Sequence, residues 1–201
     1  MKRYLICTVT SLLLVTTFGQ SQEAKSSLVT AQEYAVYSAL LDEITQSPND
    51  GKVVRLLVVN DRTEGRRKMC WPEEVAKFQK GIAADELKPL LADLLTKNDK
   101  ACSLTKQFKL SRRYVLLNEE AVSVIFKGRD YEERWHEFYR KYPNSSGFIT
   151  FSRVGFNKEG TRAIIYRETG CGSLCAYGGY ILLNKEKGVW RVGTGYGCWQ
   201  S

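Results

Sequence analysis

The run Cys171-Gly-Ser-Leu-Cys175 constrains this chain more than any other stretch. It lies between two segments with strand character, residues 161–168 and 177–184. Three intervening residues, Gly172 among them, form a turn that brings two Cα atoms within the ~5.5 Å a disulfide wants. The pair therefore reads as a staple on the connection of an antiparallel hairpin. So small a ring constrains the unfolded chain modestly, by about 2 kcal/mol. Its use is to fix loop shape. A structural staple of this kind belongs to an oxidising compartment.

The N-terminus points to the same compartment. Lys2 and Arg3 form a short positive region, and residues 4–18 are uncharged and mostly apolar, interrupted by threonines and Ser11. Small residues follow at Gly19 and Ser21, the pattern a signal peptidase cuts after. Residues 1–21 are expected to be a signal peptide cut after Ser21, with Gly19 as the alternative. The apolar run is short and threonine-rich for a membrane span, and an uncleaved anchor is the competing reading. Cys7 follows Ile6 and not a small residue, so it does not read as a lipid-attachment cysteine. Residues 22–201 are expected to be a single α+β domain, secreted or periplasmic, with no membrane span after cleavage.

Cleavage would leave Cys70, Cys102, Cys171, Cys175 and Cys198, an odd number. One thiol is then left free or pairs between chains. Beyond Cys171–Cys175, a further pair is expected among Cys70, Cys102 and Cys198, and the spacing does not choose. Charge is uneven. Residues 22–100 hold 12 basic and 13 acidic side chains, whereas residues 101–201 hold 16 and 9. The second half is cationic and rich in tyrosine and tryptophan. Such a surface suits phosphates, acidic glycans or anionic headgroups. It also suits a merely solubilising exterior over an aromatic core.

Element signals run in an α+β order. Thr30-Ala-Gln-Glu33 is a capping box, followed by Tyr37, Leu40, Leu41 and Ile44 on one helical face. Turn chemistry at residues 47–51 stops that helix. Residues 53–60 form a β-branched strand buried on both faces. Residues 72–80 begin a weaker helix, and Leu87, Leu90, Leu91 and Leu94 mark a third, with Pro89 tolerable only in its first turn. Residues 108–117 have strand character. Asn118 caps a short helix through Phe126, and Asp130 caps another carrying Tyr131, Trp135, Phe138 and Tyr142, ended by Pro143. From residue 148 the period changes to two. Four strands are expected at 148–154, 161–168, 177–184 and 189–196, joined by short Gly-ended turns. Gly178-Gly179 signals a bulge or a close backbone approach. The fold class is thus α+β, with N-terminal helices packed on a mainly antiparallel sheet ending in a four-stranded C-terminal meander.

The series Ser152-Arg-Val-Gly-Phe-Asn157, Ala163-Ile-Ile-Tyr166, Cys171-Gly-Ser-Leu-Cys175, Gly179-Tyr-Ile-Leu-Leu183 and Gly188-Val-Trp190 resembles a family of secreted bacterial proteins of uncharacterised function. The likeness is clearest over residues 140–200 and fainter around 34–41 and 53–63. It implies an exported bacterial protein and transfers no catalytic residue.

Candidate chemistries are few. His136 is the single histidine and has no metal-type partner at the usual spacing. No metal or other cofactor is expected. A Cys-His nucleophile would need His136 beside Cys70, Cys102 or Cys198. A thiol exchanger would want Cys-x-x-Cys at a helix start, not a three-residue spacer in a sheet loop. Neither a nucleophile elbow nor a phosphate-binding glycine loop occurs. Carboxylate catalysis needs two facing acids, for which Asp61, Glu64, Glu119, Glu120 and Glu168 are available.

Two polar clusters stand out. Asp61, Arg62 and Thr63 follow a strand end, where functional groups gather and where an Asp–Arg pair also serves simply to hold a turn. Lys106, Lys109, Arg112 and Arg113 are four cations without an intervening acid, fit for an anion or for a solvated face. The leading expectation is a non-enzymatic binding or structural module of the cell envelope or exterior, engaging an anionic component. Two alternatives stand beside it. One is an extracytoplasmic hydrolase with a carboxylate or Cys-His site. The other is a secreted inhibitor of a protein partner, acting through the loop around Ser173 and Leu174.

Overall fold

Helix starts are set by the caps the sequence supplies. In the computed structural model, which describes residues 28–46, 55–70, 83–127 and 130–201, Thr30 and Glu33 cap helix α1 (Ala31–Gln46) reciprocally. The Glu33 amide donates to Thr30 Oγ1 at 3.2 Å, and the Thr30 amide to Glu33 Oε2 at 2.8 Å. Asn118 Oδ1 accepts from the Ala121 amide ahead of α3 (Glu119–Phe126). Asp130 Oδ1 accepts from two amides ahead of α4 (Tyr131–Lys141). The remaining α-helix among the described residues, α2 (Ala84–Lys97), starts without a side-chain cap. Pro89 is five residues beyond its first, so it lies in the second turn and not, as expected, in the first. It is exposed there, so the Asp85 carbonyl it leaves without a helical donor can turn to water. The expected leader, the 47–51 turn and the 72–80 helix lie outside the described residues.

Strands β1 (Leu56–Asn60), β2 (Arg113–Leu117), β3 (Ser145–Phe151), β4 (Gly155–Phe156), β5 (Arg162–Gly170), β6 (Ala176–Glu186) and β7 (Val189–Gln200) form one sheet. Its order is β2-β1-β3-β5-β6-β7, with β4 pairing β5 beside that path. β1 is parallel to both its neighbours, and every later pairing is antiparallel. The fold is α+β with a mostly antiparallel mixed sheet, and its last four long strands run as the expected meander. The 108–117 segment is a strand only from Arg113. Its first part instead drops Phe108 into the core. The β6–β7 turn is tighter than expected, two residues with Lys187 at φ 48° and Gly188 at φ 84°. Both signs match the twist of the flanking strands.

The sheet is covered on both faces. On one lie α1 and the segment around Leu104 and Phe108, enclosing Leu57, Val59, Phe151, Ile165, Ile181 and Trp190. Tyr37 stacks on Phe151 with ring centroids 5.0 Å apart, and each such burial contributes about 1.5–3 kcal/mol. On the other face α2 sets Leu87, Leu90 and Leu94 against Ile164, Tyr166 and Tyr180. There α3 and α4 pack Ile125, Trp135 and Phe138 onto Val58 and Leu117. Gly155 permits the close approach of α2. An added Cβ would meet the Leu90 carbonyl oxygen and the Leu94 amide. No helix among the described residues is long and apolar enough to cross a membrane.

Candidate functional site

Side chains on paired strands share a face when their residues stand opposite one another. The register of β5, β6 and β7 therefore fixes a small grid. Ile165, Ile181 and Gly195 form one row, and Arg167, Gly179 and Gly197 the next. Thr169, Tyr177 and Gln200 form the third. Ile165 and Ile181 belong to the core under α1, so the grid lies on the α1 face. Three of its nine positions are glycine, and they are contiguous. The result is a hollow of about 250 Å³ lined by Arg167, Tyr177, Gly179, Ile181, Gly195 and Gly197.

The glycines differ in kind. At Gly179 a Cβ would run into the Tyr196 carbonyl oxygen, because β7 bulges here: Gly178 faces Trp199 and Gly179 faces Gly197. That glycine is required by close backbone approach, as the sequence signals. At Gly197 a Cβ would meet nothing within 4 Å, and at Gly195 only ordinary contacts near 4 Å. Neither has a positive φ. Glycine costs a strand about 0.5–1 kcal/mol relative to alanine, and packing does not demand it at these two positions. What it provides is open space.

Arg167 sits at the edge of that space. Its guanidinium lies 5.1 Å from the centroid of the Tyr177 ring. Burial pulls its pKa down from the usual arginine value, partly opposed by Tyr177. Among the described residues it has no carboxylate partner. Two residues along β5, Thr169 is 9% exposed, and its Oγ1 has no hydrogen-bond partner among the described residues. A buried polar atom without a partner is uncommon in a folded protein. Thr169 is on the same face as Arg167 and directly opposite Tyr177. Tyr177 is 39% exposed, so this end of the face is open to solvent.

A second arginine gives the contrast. Arg153, in the connection after β3, is 2% exposed and Glu33 is fully buried. Arg153 Nε donates to Glu33 Oε1 at 3.0 Å, and Nη2 to Oε2 at 2.8 Å. Nη2 also donates to the Leu28 carbonyl. Burial alone would raise the Glu33 pKa, but Arg153 and the amides of Thr30 and Val154 outweigh it and hold it below the usual carboxylate range. Asn98 completes the junction, accepting from the Arg153 amide at 2.7 Å. One carboxylate thus caps α1 and ties it to the β3–β4 connection. Cys102, the free cysteine among the described residues, lies beside this pair, its Sγ 3.9 Å from Arg153 Nη1.

On the opposite face Trp199 Nε1 donates to Tyr166 Oη at 2.9 Å, and Tyr166 donates to Glu168 Oε1 at 2.9 Å. Burial raises the Glu168 pKa, and the charge of Glu64 adds to the rise. Glu64 in turn pairs with Lys68 at 3.5 Å. Of the acids the sequence offers for carboxylate chemistry, Glu64 and Glu168 are the two brought near one another.

The remaining sequence candidates do not converge. Asp61, Arg62 and Thr63 are held by backbone bonds: the Asp61 amide donates to the Leu117 carbonyl, and the Leu104 amide to the Asp61 carbonyl. Thr63 is buried, its hydroxyl accepting from the Cys102 amide. No Asp61–Arg62 pair forms, so the turn is held by the main chain and not by the expected ion pair. Lys106, Lys109 and Arg113 are exposed and Arg112 half-buried. They precede or open β2, the sheet edge opposite β7. His136 is exposed on α4. Among the described residues no group of three or more His, Cys, Asp or Glu is arranged to hold a metal ion.

The cysteines stand at disulfide distance in two pairs. Cys171 and Cys175 have Cα atoms 5.0 Å apart. Cys70 and Cys198, which the sequence left open, have Cα atoms 6.3 Å apart. The stapled loop is anchored to α4 by Tyr139, which donates to the Cys171 carbonyl, and by contact of Ser173 with Glu132. Leu174 projects, 86% exposed.

No family model, curated protein or solved structure matches this chain. The hollow has one legible signal in the sequence, Gly195-Tyr-Gly197, glycine at alternate positions of a strand, which leaves one face bare.

Proposed function

We propose that the chain acts outside the cytoplasm as a non-enzymatic binding module whose partner carries negative charge. The observation that carries this reading is Arg167, a partly desolvated guanidinium at a solvent-open hollow, without a carboxylate partner among the described residues. A desolvated charge is costly unless paired, and an incoming anion supplies the pair. The cationic second half would steer such a partner toward it. Export is supported by the leader pattern at residues 1–21, by the two cysteine pairs at disulfide distance and by the resemblance to secreted bacterial proteins.

Two measurements test this. The mature N-terminus recovered from a culture supernatant or periplasmic fraction should begin at Gln22. Recovery of the uncut chain from cytosol overturns the location. Titration with anionic glycans, vesicles of anionic lipid and inorganic phosphate should give binding that weakens with salt. Binding to none of them overturns the anionic partner.

A second reading rests on Glu168 and Glu64. A carboxyl with raised pKa beside another acid is the arrangement general acid catalysis uses. Glu168 does not line the hollow, and its hydrogen bonds are satisfied by Tyr166, which favours the binding reading. Release of reducing ends from a polysaccharide, abolished by Glu168→Gln, would reverse that preference.

A further inference from the structure

We propose that the hollow between Arg167 and Gly197 binds a single ring bearing one carboxylate, either a sugar acid or an aromatic acid. This assignment rests on the binding-module reading and names the ligand for its site.

Two observations set the ligand class. The first is charge. Among the described residues, Arg167 is the one charged residue lining the hollow. A phosphate or sulfate cluster calls for several cations, whereas one planar guanidinium matches one carboxylate through two parallel hydrogen bonds. The second is shape. About 250 Å³ is less than the ~300–1,000 Å³ that encloses drug-sized ligands, so the space suits one ring and not a chain of them. Its floor is the bare backbone at Gly179, Gly195 and Gly197, with Tyr177 and Ile181 as apolar walls. A compact body with an apolar face fits a floor without side chains between apolar walls.

An extended peptide fits less well. The main-chain groups of β6 beneath the hollow are already committed to the ladders with β5 and β7. A peptide backbone would find no row of free donors and acceptors on β6, and strand addition would have to use the outer edge of β7, beside the hollow and not in it.

The glycines supply a clean test. Gly197 can take a side chain without a clash, so Gly197→Leu fills the hollow while leaving the core untouched. Galacturonate and benzoate are titrated into the mature protein by calorimetry and by chemical-shift perturbation, with galactose and benzyl alcohol as uncharged counterparts. One of the two acids should bind at millimolar concentration or tighter, and which one binds distinguishes sugar from aromatic ligands. Its uncharged counterpart should bind at least tenfold more weakly. Arg167→Gln should weaken the acid at least tenfold, Arg167→Lys should restore part of the loss, and Gly197→Leu should abolish binding. Circular dichroism and thermal melting establish that each variant is folded, and Gly197→Val serves if the leucine variant is not.

Acid binding that survives both Arg167→Gln and a filled Gly197 overturns the site. Failure of both acids, with inorganic phosphate or an anionic vesicle still binding and lost in Lys106→Gln/Lys109→Gln, overturns the ring-carboxylate assignment and leaves the anionic partner standing. Failure of every anion overturns both.

Discussion

Arg153 and Arg167 lie fourteen residues apart on either side of the β4 excursion, and the fold treats them oppositely. Arg153 is held by both oxygens of Glu33 and by a main-chain carbonyl. Arg167 has an aromatic ring beside it and, among the described residues, no carboxylate. Both are taken from bulk water. The first charge is neutralised inside the molecule and joins two elements. The second leaves its neutralisation to something outside. Burial by itself therefore does not distinguish a structural arginine from a functional one. The set of partners does.

Breaking the Arg153 side should have the largest effect. Glu33→Gln or Arg153→Met strands a buried charge, and either should cost about 3–5 kcal/mol, read as a lower urea midpoint. A loss under about 1 kcal/mol would mean that the pair is not the fastener described.

The same side should carry a pH signature. Glu33 titrates below its ordinary value in the folded state. Its contribution is present above the unfolded carboxylate pKa and is lost as pH falls through the depressed folded one. Stability against urea should fall on acidification below about pH 4.3, and Arg153→Met should flatten that limb. Arg167→Met should leave it intact. Glu168 opposes it in sign: its raised pKa gives stability that declines as pH rises above the ordinary carboxylate value. Glu168→Gln should remove that decline.

Smaller effects sharpen the Arg167 side. Gly197→Ala should raise stability by about 0.5–1 kcal/mol, because the added methyl meets nothing. A destabilised variant would mean that the floor is needed for packing. Smallest is Arg167→Met, expected within about 1 kcal/mol of wild type and on the stabilising side, since a desolvated charge is removed and no ion pair is lost. A loss approaching that of Arg153→Met would erase the contrast between the two.

What the sequence disclosed and what it hid follow from the range of the interactions. Thr30 with Glu33, Asn118 and Asp130 act on amides two or three residues away, so their caps are readable from local spacing. The meander is readable too, because each of its strands pairs with the next. The parallel arm is not: β1 lies between β2 and β3, and nothing near residues 56–60 names partners at 113–117 and 145–151. Glu33 was legible as a cap and illegible as the counter-ion of Arg153, 120 residues away. The cation run at 106–113 is conspicuous in the sequence because charge is carried residue by residue. The hollow escaped because it is made by absent side chains on two strands, which meet only once the register is set.

The pairing of Cys70 with Cys198 has a practical consequence. It closes a loop of 128 residues and fastens the outermost strand, β7, to the segment ahead of α2. Nearly every peptide bond of the described sheet beyond β1 falls inside that loop. A protease that cuts once within it therefore releases no fragment. The clipped molecule should run as one band on a nonreducing gel and part into two only when thiol is added.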